Sequence, residues 1–133
     1  MYLIDTNIIS EARRGSAPAI GWLNSADPES CFLSVLTVGE IAKGAAIKGR
    51  KDPTAGQRLY RWLDRLRLDY ANRILPISQA VAVEWGQLAA IRPRPTVDAL
   101  IAATAIVHRL TLVTRNEVDF ADLGLPVVNP WTL

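Results

Sequence analysis

Short apolar runs alternate with longer stretches of helical period along the whole of this chain, and that alternation leaves few folds open to it. Tyr2–Ile4, Cys31–Ser34, Ile74–Ile77, Leu110–Thr114 and the pair Val127 and Val128 read as strands. Between them, helical stretches run around Ile8–Arg13, over Ala17–Ala26, and from Val38 to about Lys48 behind a Thr37 cap. Over Ala55–Tyr70, Leu59, Trp62, Leu63, Leu66 and Tyr70 fall at i, i+3, i+4, i+7 and i+11, one apolar stripe. Another helix follows Ser78 and carries Val81, Trp85 and Leu88; Arg92-Pro93-Arg94-Pro95 ends it, and Thr96 caps Val97–Arg109. Gly49–Pro53 reads as a basic turn. Strands separated by helices require crossovers, hence a sheet covered on both faces. The expectation is one α/β domain over residues 1–133, with a mostly parallel sheet of about five short strands flanked by helices.

Bulk properties narrow the class further. The chain has 133 residues, half of them hydrophobic, which suits one domain with a real core and excludes disorder. No apolar run approaches the roughly 20 residues needed to span a bilayer, so no membrane partner is expected. Asp5 and Asn7 interrupt the N-terminal apolar stretch, unlike a signal peptide. Cys31 is the only cysteine; a reducing, cytoplasmic setting is the natural reading, with the thiol buried beside Phe32 and Leu33. Net charge is +2, but nine basic residues between Lys43 and Arg73 face only Asp52, Asp64 and Asp69. Such a segment suits a polyanionic partner; taken singly, its charges also suit a solvated helix face.

Four acidic residues stand where a carboxylate is costly. Asp5 closes Tyr2-Leu3-Ile4, Glu40 lies inside an apolar stretch, Asp98 opens the apolar Ala99–Val107, and Asp119 follows Leu112–Asn116. A lone carboxylate near a core is unfavourable unless it is paired or binds a metal. In open parallel sheets, sites form at the carboxyl ends of the strands. Asp5 ends the first strand, Thr114, Asn116 and Asp119 follow the fourth, and Glu40 and Asp98 are placed in first helical turns over the same edge. Helix N-termini explain Glu40 and Asp98 singly, a cap explains Asp5, and a loop explains Asp119. None of these explains why four boundaries share an edge. Together they would suit a hard divalent cation.

Leu3-Ile4-Asp5-Thr6-Asn7-Ile8-Ile9-Ser10-Glu11 resembles the opening of PIN-domain ribonucleases. Ser34–Ile41, Asp98–Ala105, and Leu112–Asn116 followed by Asp119-Phe120 resemble their later motifs, in order and over essentially the whole chain. The resemblance extends to the VapC toxins of bacterial toxin–antitoxin pairs, in particular their FitB-like branch. It implies a metal-dependent endoribonuclease held in check by a small DNA-binding antitoxin, working as a homodimer and as a hetero-oligomer with that antitoxin. By motif match, Asp5, Glu40, Asp98 and Asp119 take the catalytic and metal positions. Thr6 matches a residue whose hydroxyl supports the first acid, and Thr114 and Asn116 match polar residues of the fourth corner. Some relatives carry an acid where this chain has Asn116, so either Asp119 or Asn116 completes that corner.

The expected chemistry is hydrolysis of RNA phosphodiester bonds by water activated on Mg²⁺ or Mn²⁺, with Arg115 and Lys43 as phosphate contacts. His108, the only histidine, sits beside Arg109 at a helix end and reads as a structural or surface residue. Trp62 and Trp85 fall on apolar stripes and read as core or dimer interface. Three alternatives share some of these features. Flap-type DNA nucleases have similar acids but extra elements that this chain lacks. A phosphoacceptor receiver domain needs an early acidic pair and a late lysine, and no lysine follows Lys51. A PIN fold kept only for binding would not need the acids.

Overall fold

The computed structural model describes residues 1–133. Five strands, β1 (Tyr2–Ile4), β2 (Cys31–Ser34), β3 (Ile74–Leu75), β4 (Thr111–Val113) and β5 (Val127–Val128), form one sheet in the order β3-β2-β1-β4-β5. Every neighbouring pair is parallel, as helical crossovers require. Seven α-helices connect and cover them: α1 (Thr6–Arg13), α2 (Ala17–Ser25), α3 (Val35–Lys51), α4 (Pro53–Asp69), α5 (Gln79–Ile91), α6 (Thr96–His108) and α7 (Glu117–Phe120). Short 3₁₀ helices occupy Pro28–Ser30 and Ala121–Leu123. None of the helices is long and apolar enough to cross a membrane.

The strand period of two sorts the core into two layers. Leu3 is in register with Phe32 on one side and Leu112 on the other, and these three pack towards α5 and α6 through Val81, Leu88, Ile101 and Ala102. Ile4 is in register with Val113, and both pack on the opposite face with Ile8, Leu33, Ile41, Leu63 and Leu66. Each strand is therefore apolar on both sides, which is why the strands read as unbroken apolar runs. Leu63 and Leu66 come from the α4 stripe and turn inward as its spacing predicts. Cys31 is buried, and burial pushes its thiol up, as befits an inert core residue.

Two boundaries differ from expectation in ways that matter for the site. The first is α3, which starts at Val35, not Val38. Ser34 leaves β2 in extended conformation and its hydroxyl accepts from the Leu36 amide at 3.0 Å. The strand therefore hands directly to the helix, Thr37 is buried inside the first turn, and Glu40 moves into the second. The second is the expected Gly49–Pro53 turn, which is helix almost throughout. Asp52 alone separates α3 from α4, closing one and capping the other through the Ala55 amide at 3.1 Å, with Pro53 at the first helical position. The hairpin closes so tightly because Gly49 and Gly56 face each other; a Cβ on Gly56 would lie 2.5 Å from the Gly49 Cα. Thr96 is likewise the first residue of α6 and not its cap. Asp119 sits on the short α7 instead of in a loop.

Candidate active site

β1 is the middle strand, with β2 and β3 on one side and β4 and β5 on the other, so its carboxyl end lies where the crossovers diverge. Asp5 occupies that point. Its amide donates to the Val113 carbonyl at 2.9 Å and continues the β1–β4 ladder. Its Oδ1 accepts from the Thr6 amide at 2.7 Å, which caps α1. Its Oδ2 accepts from Thr114 Oγ1 at 2.8 Å and Asn7 Nδ2 at 3.2 Å. Only 5% of Asp5 is exposed. Burial pushes its carboxyl up to about 6 against the pull of the Thr114 and Thr6 hydrogen bonds, and the charges of Asp98 and Glu40 add to the rise.

The second acid is oriented by two hydroxyls. Thr6 Oγ1 donates to Glu40 Oε1 at 2.7 Å and lies 2.9 Å from Thr37 Oγ1. A hydroxyl has one proton to give. With Thr6 spending its own on Glu40, Thr37 donates to Thr6, and a chain runs from inside α3 to the exposed carboxylate. Asp98, half-buried in the first turn of α6, is pushed up by burial first and then by Asp119 and Glu40.

Asp5, Glu40, Asp98 and Asn116 line one cleft that presents no hydrophobic side chain. Asp98 also faces a smaller neighbouring cleft of about 100 Å³, and Asp119 opens into that one, beside Arg92 and Arg94. The acids thus form an arc with Asp98 at its middle. No three of them gather closely enough to hold an ion by themselves. The arrangement still fits a hard cation: the donors are oxygens, the cleft is polar, and Mg²⁺ commonly keeps several waters between itself and its carboxylates. The raised Asp5 carboxyl, crowded by two other acids, is the group such a cation would relieve.

The supporting residues partly exchange roles. Thr6 reaches Asp5 through its amide, while its hydroxyl serves Glu40. Thr114 holds Asp5 and also accepts from the Asn116 amide at 3.1 Å, so it supports the first corner as well as the fourth. Arg115 places its guanidinium 4.6 Å over the Trp131 ring; a cation–π contact holds it there. Lys43 is exposed and outside the cleft. The arginine that lines it is Arg14, paired with Glu11 at 2.9 Å. Asn7 joins Asp5 and Thr114 and accepts from the Arg115 amide at 3.3 Å. Sequence reasoning missed Asn7, Ser10 and Arg14 as cleft residues. The signal was there: with Glu11 they fall at i, i+3, i+4 and i+7, one polar stripe on α1.

Residues 2–125 match the family model for the PIN domain. The chain is 35% identical to Toxin FitB of Neisseria gonorrhoeae over 98% of this chain and 99% of that one. It is 30% identical to VapC ribonuclease Y4jK of Sinorhizobium fredii over 98% of each chain. It superposes on the crystal structure of FitAcB from Neisseria gonorrhoeae with a TM-score of 0.91, 34% identity and full coverage of both chains. With a parallel β3-β2-β1-β4-β5 sheet, Asp5, Glu40 and Asp98 lining a cleft at the end of its middle strand, and a family match over nearly its whole length, this chain belongs to the PIN-domain family.

Proposed function

We propose that this protein is a metal-dependent endoribonuclease acting as the toxin of a toxin–antitoxin pair. Relatives named as a toxin and as a VapC ribonuclease, each aligned over 98% of this chain, support that reading. The observation that carries it is Asp5: a nearly buried carboxylate at the end of the middle strand, held by Thr114, Asn7 and the Thr6 amide, with Asp98 and Glu40 close enough to raise its pKa. A structural carboxylate of this kind is normally matched with an arginine or lysine. Here its charged neighbours are acids, and a divalent cation would supply the counter-charge.

Asp5 and Asp98 are the direct ligands in this proposal, with Glu40 and Asp119 completing the site directly or through water. What a bound Mg²⁺ or Mn²⁺ supplies is an acidified water and positive charge beside the scissile phosphate. The protein's own contribution is orientation. Thr114 and Asn7 fix Asp5, the Thr37–Thr6 hydroxyl chain fixes Glu40, and Asn116 presents a neutral amide where an acid would add to the repulsion. The RNA would enter over the polar wall of α1, where Arg14 is the cation lining the cleft. A small DNA-binding antitoxin would restrain the enzyme by covering this cleft, and the toxin would be dimeric.

The test is cleavage of total cellular RNA by purified, antitoxin-free protein with Mg²⁺ or Mn²⁺, beside an EDTA control and the Asp5→Asn and Asp98→Asn variants. Discrete products that disappear in all three controls are the expected result. Cleavage that survives both variants would mean that these carboxylates are not the site.

A further inference from the structure

The Arg92-Pro93-Arg94-Pro95 turn is not a simple helix break. Both of its arginines fold onto one carboxylate, Asp122, in the 3₁₀ helix after α7. Arg92 donates from Nε to Oδ2 at 3.0 Å and from Nη2 to Oδ1 at 3.2 Å. Arg94 donates from Nη1 to Oδ1 at 3.1 Å and from Nη2 to Oδ2 at 2.8 Å. Two bidentate forks on one carboxylate use up its lone pairs and hold it well below the usual carboxylate range.

The clasp is also costly. The Arg94 side chain is only 4% exposed, and its Nε is the one buried side-chain donor or acceptor without a partner in the chain. An unsatisfied buried donor calls for a reason. An exposed turn needing only a staple would not bury a guanidinium to obtain one. The position supplies the reason. The turn leads directly into α6, where Asp98 is the third residue, and Asp122 follows Asp119 by three residues. Arg92, Arg94, Asp98 and Asp119 line the same small cleft. The clasp therefore ties together the two segments that carry these acids, segments with no strand pairing between them.

We propose that Asp122, gripped by Arg92 and Arg94, is a positioning residue for the acidic site: it locks the turn before Asp98 to the 3₁₀ helix after Asp119 and so sets the spacing of those two carboxylates. The inference rests on the proposed metal-dependent nuclease reading and names a device that the reading does not require. Two arginines on one acid also leave one positive charge in excess, and the always-charged Arg92 guanidinium is stabilised first by Asp122 and also by the more distant charge of Asp119.

The test is calorimetric titration of Mn²⁺ into metal-free wild type, Asp122→Asn, Asp122→Glu and Arg92→Lys, with circular dichroism to confirm folding and RNA-cleavage kinetics alongside. Loss of a residue that orients metal ligands typically costs 10–100-fold in affinity. Asp122→Asn is expected to bind Mn²⁺ roughly 10-fold more weakly or worse and to lower kcat while KM for RNA holds. Asp122→Glu should recover most of both. Arg92→Lys, at a half-exposed side chain, keeps the charge but loses the fork, and it should weaken Mn²⁺ binding even if Asp122→Asn does not fold. A folded Asp122→Asn protein, or Arg92→Lys in its place, that binds Mn²⁺ like wild type overturns the proposal. So does a variant that raises KM alone, because the arginines would then be serving RNA and not the acids. A wild type that binds no Mn²⁺ overturns the nuclease reading itself along with the inference.

Discussion

Asp5 is asked to end a strand, cap a helix and stay charged in a nearly dry position, and these demands conflict. The strand and the cap are satisfied through its amide and Oδ1, so only the charge is unresolved. Its folded-state carboxyl rises to about 6 from an ordinary 3.8. In the window between those values the folded state binds more protons than the unfolded state, so metal-free stability falls as pH rises through it. At neutral pH the full penalty applies, on the order of 3 kcal/mol. Asp5→Asn should therefore melt several °C above metal-free wild type at pH 7, with the gap closing towards pH 4, while RNA cleavage is lost. Thermal melts in EDTA across that range check it, and a gap that does not change with pH would show that Asp5 is not the strained group. Asp5 and Thr6 were legible from sequence as candidate site residues, whereas the part of Asn7 was not. Which hydroxyl serves which acid was not, because Thr6, Thr37 and Thr114 are brought to their partners from different elements.

At the scale of elements, helices with a strong apolar stripe were legible to within two residues, as α4 shows, because local period and burial agree there. The errors came where two local signals competed. Thr37 and Ser34 are both plausible caps; Ser34 wins because β2 ends on it in extended conformation, which leaves Thr37 free to hold Thr6. Gly49, Lys51 and Pro53 looked like a turn, yet the glycine serves a close helix crossing. Gly56→Ala should consequently destabilise the fold by about 1–3 kcal/mol, the usual cost of overpacking, because its new methyl meets Gly49 backbone and not a movable side chain. Urea unfolding measures this, and a change below about 0.5 kcal/mol would mean that α3 and α4 part easily.

The whole molecule is organised around one edge of the sheet. Strand order β3-β2-β1-β4-β5 puts Asp5 at its middle, α3 brings Glu40 from one side, and α6 brings Asp98 from the other. Repulsion among those carboxylates is a global cost that a bound cation would remove, so on the proposed metal site millimolar Mg²⁺ or Mn²⁺ should raise the melting temperature at pH 7. Occupancy at 100 times Kd corresponds to about 2.7 kcal/mol. The Asp98→Asn protein should respond less. A wild-type melt indifferent to both ions would count against the metal site as a whole. Two of the basic residues of α4 pair loosely across exposed surface, Arg65 with Asp69 at 3.4 Å and Arg67 with Asp64 at 4.0 Å. Such pairs contribute little to stability, and that leaves these charges to solvent or to a polyanion.

Much of this protein is written in local pattern. Strand runs apolar on both faces, helices with apolar stripes and acids at their junctions were enough to specify a parallel α/β sheet with a polar edge, because period and turn chemistry act within a few residues. Their order along the chain also matched a family. The working details arise only when distant segments meet. The Thr37–Thr6–Glu40 hydroxyl chain spans α1 and α3, the Asp5 clamp joins β1 to the end of β4, and the Arg92–Asp122–Arg94 clasp joins the α5–α6 turn to a 3₁₀ helix. Nor does the sequence show that Arg115 lies over Trp131 or that Asp119 opens beside Arg92 and Arg94. Side-chain partners far apart in sequence leave no periodic trace. They are chosen by which buried polar groups must be satisfied once the sheet has brought those segments together.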